Sequence, residues 1–162
     1  MKNDKIVPLD KLAAASEALR KSGKKLVATN GCFDLLHVGH VRYLKAARAL
    51  GDVLIVGLNG DDSVRELKGP DRPINKASDR AEVLAALECV DLVAVFPETR
   101  ATMFIRAVAP DIYIKGGDYR VDTLDRDERA LLEKIGARIE IVPFVEGYST
   151  SRLLAKLGEK RK

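Results

Sequence analysis

Both histidines of the chain lie three positions apart, as His37 and His40 within the stretch NGCFDLLHVGHVRYL at 30–44. Histidine side chains act in acid–base catalysis, bind metals and donate hydrogen bonds to anions. Residues at i and i+3 of a helix project from the same side, and Gly39 between them lets a ligand come close to the backbone. The spacing therefore indicates one shared site for the two side chains.

Several known kinds of site do not fit this stretch. It contains neither a G-x-x-x-x-G-K-[ST] phosphate loop nor a G-x-G-x-x-G dinucleotide motif. Two histidines without a cysteine pair are too few ligands for zinc, and no G-x-S-x-G indicates a serine hydrolase. Anion binding at a helix N-terminus fits better. The alternative is a purely structural role, in which His37 caps the helix or packs against the core and His40 is an exposed helix residue.

Five short, nearly continuous apolar segments predict the strands that position this site, at 25–31, 53–59, 92–96, 111–117 and 138–143. Helical periodicity lies between them, at 39–50, 61–68, 77–89, 100–109 and 126–135, with Gly51 and Gly136 placed as C-terminal caps. Alternating strands and helices give right-handed crossovers and a parallel sheet. We expect an α/β fold, a small doubly wound (Rossmann-like) parallel five-stranded sheet, with ligands at its switch point.

One domain is expected at 25–157, because 162 residues provide one core and not two. An amphipathic helix at 9–22 predicts an N-terminal helical extension (1–24), a short helix at 150–157 ends the domain, and the basic tail at 158–162 is expected to be flexible. No apolar run approaches the ~20 residues of a membrane span, and the charged N-terminal segment is a poor secretion signal. We therefore expect a cytoplasmic protein without membrane contact.

Composition argues against a nucleic-acid partner. The net charge is +4 and only 5% of residues are aromatic, and no basic stretch is interleaved with the aromatic residues that stack on bases. A nucleic-acid binder is kept as an alternative that predicts steep salt dependence. Cys32 and Cys89 lack metal-type spacing and are expected to be reduced, structural thiols. A small anionic ligand fits this composition better than a polymer.

Four segments resemble one enzyme superfamily. TNGCFDLLHVGH at 29–40 is similar to the H-x-G-H signature of nucleotidyltransferases, in their cytidylyltransferase-like branch. LKGPDRPINKASDR at 67–80, PDIYIKGGDY at 110–119 and EGYSTSRLL at 146–154 resemble the heptose 1-phosphate adenylyltransferases of that branch, in the stand-alone form rather than the form fused to a sugar kinase. The resemblance covers essentially the whole chain.

The resemblance implies transfer of AMP from ATP to D-glycero-β-D-manno-heptose 1-phosphate, giving pyrophosphate and ADP-heptose for the lipopolysaccharide inner core. A sugar phosphate is already an anionic nucleophile, so catalysis can rest on aligning two anions and stabilising charge at the α-phosphorus. Mg²⁺ is implied as the cofactor, carried mainly by the nucleotide and without a dedicated protein site. The family and the N-terminal helix also suggest a homodimer or higher homo-oligomer.

The resemblance also implies three groups of site residues. The catalytic residues are predicted to be His37, His40 and Lys68, with the histidines donating hydrogen bonds to phosphate oxygens. The predicted nucleotide contacts are Thr29, Asn30, Gly31, Cys32, Phe33, His37, Gly39, His40, Lys115, Gly116, Asp118, Ser149, Thr150 and Ser151. Substrate or phosphate contacts are predicted for Asp34, Arg72, Arg80 and Arg152.

For four of these residues the sequence offers an alternative role or a physical reason for the assignment. Lys68 and Arg72 lie on an irregular segment at 67–78 that either folds over phosphates or is a solvated connection. Asp34 is expected to orient the loop or a metal-bound water. Arg80 stands at the start of a helix, where a cation is unfavourable unless an anion compensates.

One departure from the family bears on the substrate. Phe144 and Val145 precede EGYST, where glycerol-phosphate cytidylyltransferases carry an Arg-Thr pair, which argues against CTP and glycerol phosphate. The choice of adenine is inferred from the resemblance alone. The alternatives are a glycerol-3-phosphate or related cytidylyltransferase and a non-catalytic nucleotide-sensing module. A sensor has no need of groups directed at a transition state, so His37, His40 and Lys68 together favour the enzyme.

Overall fold

The computed structural model describes residues 4–117, 124–143 and 150. Along these residues the elements are α1 (Leu9–Lys21), β1 (Leu26–Gly31), α2 (Val38–Arg48), β2 (Val53–Asn59), α3 (Asp61–Lys68), α4 (Ala77–Ala85), β3 (Leu92–Phe96), α5 (Thr102–Val108), β4 (Ile112–Gly116), α6 (Arg126–Ile135) and β5 (Arg138–Val142). Each corresponds to a predicted strand or helix. The predicted helix at 150–157 and the tail at 158–162 lie outside the described residues, apart from Thr150.

The strands form one parallel sheet in the order β3-β2-β1-β4-β5. From β1 the chain first moves outward to β2 and β3, and then returns to place β4 on the other side of β1. The register pairs Thr29 with Ile114, so the carboxyl ends of β1 and β4 meet at this reversal. The predicted doubly wound α/β fold is confirmed, and its switch point lies between β1 and β4.

Two apolar layers cover the sheet, which explains why the strands read as continuous apolar runs. One layer packs α2 and α4 on Val27, Leu54 and Val56. The other packs α1, α5 and α6 on the opposite face, with Leu12 and Phe104 fully buried. The N-terminal helix α1 is therefore part of the core. No helix in the described ranges has the length and apolar character needed to cross a membrane.

The two glycines predicted as helix caps differ in the structure. Gly136 has a φ of 73° and caps α6 as predicted. Gly51 does not cap α2, which ends at Arg48 with Ala49 as its C-cap. A Cβ atom on Gly51 would lie 2.6 Å from Val27 Cγ2. The prediction for Gly51 was wrong because close packing against β1, rather than a left-handed turn, requires glycine there.

Candidate active site at the switch point

The two histidines meet at the N-terminus of α2, directly after the loop that follows β1. His37 is the N-cap residue, with extended backbone angles, and His40 is the third helical residue. Their rings stack with centroids 3.9 Å apart and an interplanar angle of 29°. His40 Nδ1 accepts a hydrogen bond from the His37 backbone N–H at 3.4 Å. The structure therefore brings the pair together on one side of the helix end.

Both histidines are neutral at pH 7. Burial lowers the pKa of His40, and the charge of neighbouring His37 lowers it further, to about 4. Burial also lowers the pKa of His37. Because Nδ1 of neutral His40 accepts a hydrogen bond, its proton resides on Nε2. His40 thus offers an Nε2–H donor at a helix N-terminus, where the backbone favours an anion.

Phe33 shapes the loop between β1 and the histidines. Its backbone is left-handed, with a φ of 42°, and its ring packs edge-on against His40 with centroids 5.4 Å apart. A Cβ on Gly31 would lie 2.9 Å from this ring. Gly31 and Phe33, both predicted nucleotide contacts, therefore form a tight support beneath His40.

Asp34 holds the irregular loop that follows α3. Its carboxylate is buried and accepts hydrogen bonds from Arg72 Nε at 2.5 Å, Ile74 N at 2.8 Å and Asn75 N at 3.1 Å. Asn75 Nδ2 in turn donates to the Asp34 carbonyl. Of the two roles predicted for Asp34, the geometry supports the orientation of the loop.

Arg80 is a buried link between three segments. Only 2% of the residue is exposed, and its guanidinium donates to the carbonyls of Asn75 and Cys32 and to Asp61 Oδ1. Asp61, which was not predicted from the sequence, supplies the anion that compensates Arg80 and also accepts from Ala77 N. This placement gives Arg80 a structural role, and its predicted substrate contact stays a prediction.

Cys32 has the character of a structural thiol. Burial raises its pKa, and the positive charges of Lys68, Arg80 and Arg72 oppose that rise. Lys68, the last residue of α3, is exposed, and its charge acts on Cys32 in the loop after β1. No contact of Lys68 with the histidines is seen among the described residues, so its catalytic role stays a prediction.

A second polar cluster lies where β1 and β4 end. Lys115 Nζ donates to Asn30 Oδ1 at 2.8 Å and forms an ion pair with Glu128 Oε2 at 3.1 Å. Tyr113 OH donates to the same Asn30 oxygen at 2.5 Å. Asn30 and Lys115 were predicted from the sequence, whereas Glu128 was not. An acidic residue in the first turn of a helix is explained by the helix dipole alone, so nothing in the sequence distinguished Glu128.

The other predicted nucleotide contacts differ in accessibility. Thr29 is fully buried, donates to the Ile114 carbonyl and shares a hydrogen bond with Tyr43 OH. Gly39 is buried within α2, and Gly116 ends β4. Thr150 Oγ1 donates to the Leu35 carbonyl at 3.4 Å, which places it beside the loop after β1. The remaining predicted site residues, Asp118, Ser149, Ser151 and Arg152, lie outside the described residues.

The described carboxylates do not form a magnesium cage. Within residues 4–117, 124–143 and 150, no group of three or more His, Cys, Asp or Glu side chains could hold a metal ion. The Asp34 carboxylate is occupied by the 72–75 loop.

A family profile and several known proteins match this chain. The cytidylyltransferase-like family profile matches residues 28–156. The bifunctional protein HldE of Citrifermentans bemidjiense is 50% identical over 155 residues, which are 96% of this chain and 31% of that protein. HldE of Geotalea uraniireducens is 50% identical over 153 residues, covering 94% of this chain and 31% of the relative. The chain thus spans about a third of the length of these relatives.

Two solved structures are also similar. A lipopolysaccharide core biosynthesis protein from Thermoplasma volcanium is 30% identical with a TM-score of 0.63, covering 78% of this chain and all of that one. Pantoate-beta-alanine ligase from Francisella tularensis is 15% identical with a TM-score of 0.60, covering 97% of this chain and 79% of the other, and it shows the fold alone.

The matched range includes the histidine pair, the loop held by Asp34 and the cluster at Asn30. It also contains every strand of the sheet except the first two residues of β1. The membership that the H-x-G-H segment predicts is confirmed, and the chain belongs to the cytidylyltransferase-like family.

Proposed function

We propose that the protein transfers AMP from ATP to D-glycero-β-D-manno-heptose 1-phosphate, producing ADP-heptose and pyrophosphate. The observation that carries the proposal is the stacked pair of neutral histidines, His37 and His40, at a helix N-terminus on the switch point of the sheet. The similarity to HldE and to a lipopolysaccharide core biosynthesis protein supports the choice of acceptor.

The reaction is a displacement at the α-phosphorus of ATP. An oxygen of the sugar phosphate forms a bond to the α-phosphorus, the bond from that phosphorus to the oxygen bridging to the β-phosphate breaks, and pyrophosphate leaves. The nucleophile is already ionised at pH 7, so no protein base has to remove a proton. The protein has to align the two anions and stabilise the charge that develops between them.

The neutral state of His40 suits this task. Its Nε2–H can donate to an oxygen of the reacting phosphate without transferring the proton, and the hydrogen bond strengthens as negative charge builds. The backbone N–H groups at the start of α2 add the positive end of the helix dipole. His37, stacked on His40, would donate to a second phosphate oxygen.

Lys68 and Arg72 provide positive charge near Cys32, in the loop between β1 and the histidines. Arg72 is fixed through Nε by Asp34, and within the described residues its two terminal Nη nitrogens make no hydrogen bond. A guanidinium held in this way is suited to a phosphate. Lys68 is exposed at the start of the same loop, and we assign both side chains to the phosphates.

Mg²⁺ belongs to the proposal as an ion carried by the triphosphate, where it neutralises charge on the phosphate oxygens. A cytoplasmic location is included because the reaction consumes ATP made there. A homodimer or higher homo-oligomer stays a prediction, to be tested by light scattering of the purified chain.

The proposal is tested by measuring pyrophosphate release with Mg²⁺ for ATP and CTP, each combined with heptose 1-phosphate and glycerol 3-phosphate. We expect release with ATP and the heptose, and a product with the mass of ADP-heptose. Preference for CTP would keep the family and change the substrate. Nucleotide binding without pyrophosphate release from any combination would refute the proposed transfer and favour the nucleotide-sensing module.

A further inference from the structure

The cluster at the carboxyl ends of β1 and β4 contains an ion pair that is almost removed from water. The Glu128 side chain is 5% exposed and the Lys115 side chain 12%. Removing two charges from water costs several kcal/mol per ion unless they are paired and hydrogen-bonded. This pair lies at the switch point of the sheet and next to Asn30, a location that indicates a function beyond stability.

Both oxygens of Glu128 are engaged. Oε1 accepts the backbone N–H of Ala101 at 2.7 Å, and Oε2 pairs with Lys115. Ala101 is the N-cap of α5 and has no side chain that could cap that helix itself. Glu128 reaches from α6 to accept the backbone N–H of this N-cap residue, as the acidic residue of a capping box does from within its own helix. Its carboxylate is therefore fixed between α5 and β4, and Lys115 is fixed with it.

The ion pair determines how the Asn30 side-chain amide is oriented, with its oxygen toward Lys115 and its nitrogen on the opposite side. Lys115 can only donate hydrogen bonds, and Tyr113 donates its hydroxyl hydrogen to the same acceptor, so Asn30 Oδ1 must face both of them. The amide NH₂ then faces away from Lys115 and Tyr113. Within the described part of the chain, Asn30 Nδ2 has no hydrogen-bond acceptor. Asn30 is the penultimate residue of β1, directly before the loop to the histidines.

We propose that Glu128 is a positioning residue that acts through Lys115 to fix the Asn30 amide as a hydrogen-bond donor to the nucleotide. Asn30 is the group that contacts the ligand, and the acceptor is a phosphate or ribose oxygen. Glu128 contributes by holding Lys115 against Asn30 Oδ1. The inference rests on the proposed function for the identity of the ligand, a nucleoside triphosphate, and on nothing about the sugar.

The test measures equilibrium binding of ATP with Mg²⁺ by calorimetry on the full chain, without an acceptor. The variants are Glu128→Gln, Lys115→Met and their double variant. Gln can still accept from Ala101 N but no longer carries the charge that holds Lys115. We expect each single change to weaken ATP binding about tenfold, and the double variant to be no weaker than Lys115→Met alone. Glu133→Gln, an exposed change on the same helix, is the matched control and should bind ATP like the unmodified protein.

Asn30→Ala leaves the pair of Lys115 with Glu128 but removes the amide donor, together with the oxygen that accepts from Lys115 and Tyr113, so it tests the proposal even if Glu128→Gln fails to fold. We expect a loss of ATP affinity of about tenfold, typical of a lost hydrogen bond to a charged group, and a lower melting temperature because two buried donors lose this acceptor. The side-chain NH₂ signals of Asn30 in an NMR spectrum should shift when ATP is added. In Glu128→Gln this shift should be smaller, which a role of Glu128 in stability alone would not produce.

Additive effects of Glu128→Gln and Lys115→Met, or normal ATP affinity in Asn30→Ala, would overturn the inference, as would a chain that binds no ATP. Failure of the proposed function looks different. A chain that binds ATP with the expected coupling but forms no ADP-heptose would refute the proposed acceptor and leave the role of Glu128 in place.

Discussion

The depressed pKa of His40 predicts that the protein loses stability as the pH falls from 7 to 4. In the unfolded chain a histidine titrates near 6.5, whereas burial and His37 lower the pKa of folded His40 to about 4. Between these values the unfolded state binds a proton that the folded state does not. The free energy of unfolding therefore falls with falling pH across this window. At 1.36 kcal/mol per pH unit, the full loss is about 3 kcal/mol.

Urea unfolding of the unmodified protein and of His40→Gln, at several pH values between 7 and 4, isolates this contribution. Gln is chosen because an acceptor at the third helical position can still bond the N-cap backbone N–H. Carboxylates that titrate in the same range contribute equally to both proteins and cancel in the difference. We expect the stability of the unmodified protein to fall by about 3 kcal/mol relative to His40→Gln. A difference that does not change with pH would refute the assignment of neutral His40 to a desolvated site.

Four further substitutions test other parts of the site and the core. His37→Ala and His40→Ala should each lower the rate of pyrophosphate release about 10²–10³-fold with an unchanged circular dichroism spectrum, and a near-normal rate in either would remove that histidine from the mechanism. Asp34→Asn should destabilise the protein by about 2–3 kcal/mol in urea unfolding, because a buried carboxylate loses its charge-assisted hydrogen bonds. It should also raise the KM for the substrates, because the loop at 72–75 is no longer held in place. An unchanged KM would show that this loop takes no part in substrate binding. Gly57→Ala should cost about 1–3 kcal/mol, since its Cβ would lie 2.8 Å from the Phe104 ring, and adding Phe104→Leu should recover part of that loss in the same assay.

The parts of the structure that sequence predicts well are those determined by near neighbours. The strands are recognisable because both faces of the sheet are covered, so that a run such as VLIVGLN in β2 is buried throughout. The histidine pair is recognisable because the N-cap residue and the third residue of a helix meet across its first turn. Gly136 follows the same logic, since its role as a cap depends on the helix that it ends.

The parts that sequence does not predict depend on partners far along the chain. Asp34 meets the loop about forty residues later, which no local pattern reveals. Arg80 finds its anion in Asp61, on the preceding helix. Glu128 stands in a helical first turn, where an acidic residue is expected in any case, yet its partners are Ala101 and Lys115. Side-chain identity shows that such residues could carry charge, and only the fold shows where the charge is used.

The short segment before α1 has a consequence for how the molecule behaves among its own copies. β3 is the outermost strand on one side of the sheet, and an unpaired outer strand is a template for pairing with another chain. Here Val7 N donates to Val93 O at 2.9 Å, and Val93 N donates to Lys5 O at 2.8 Å. Lys5 also anchors its ammonium on the carbonyls of Leu87 and Val90. The segment shields the beginning of that strand at Val93, and its loss would expose more of a β-edge that favours self-association.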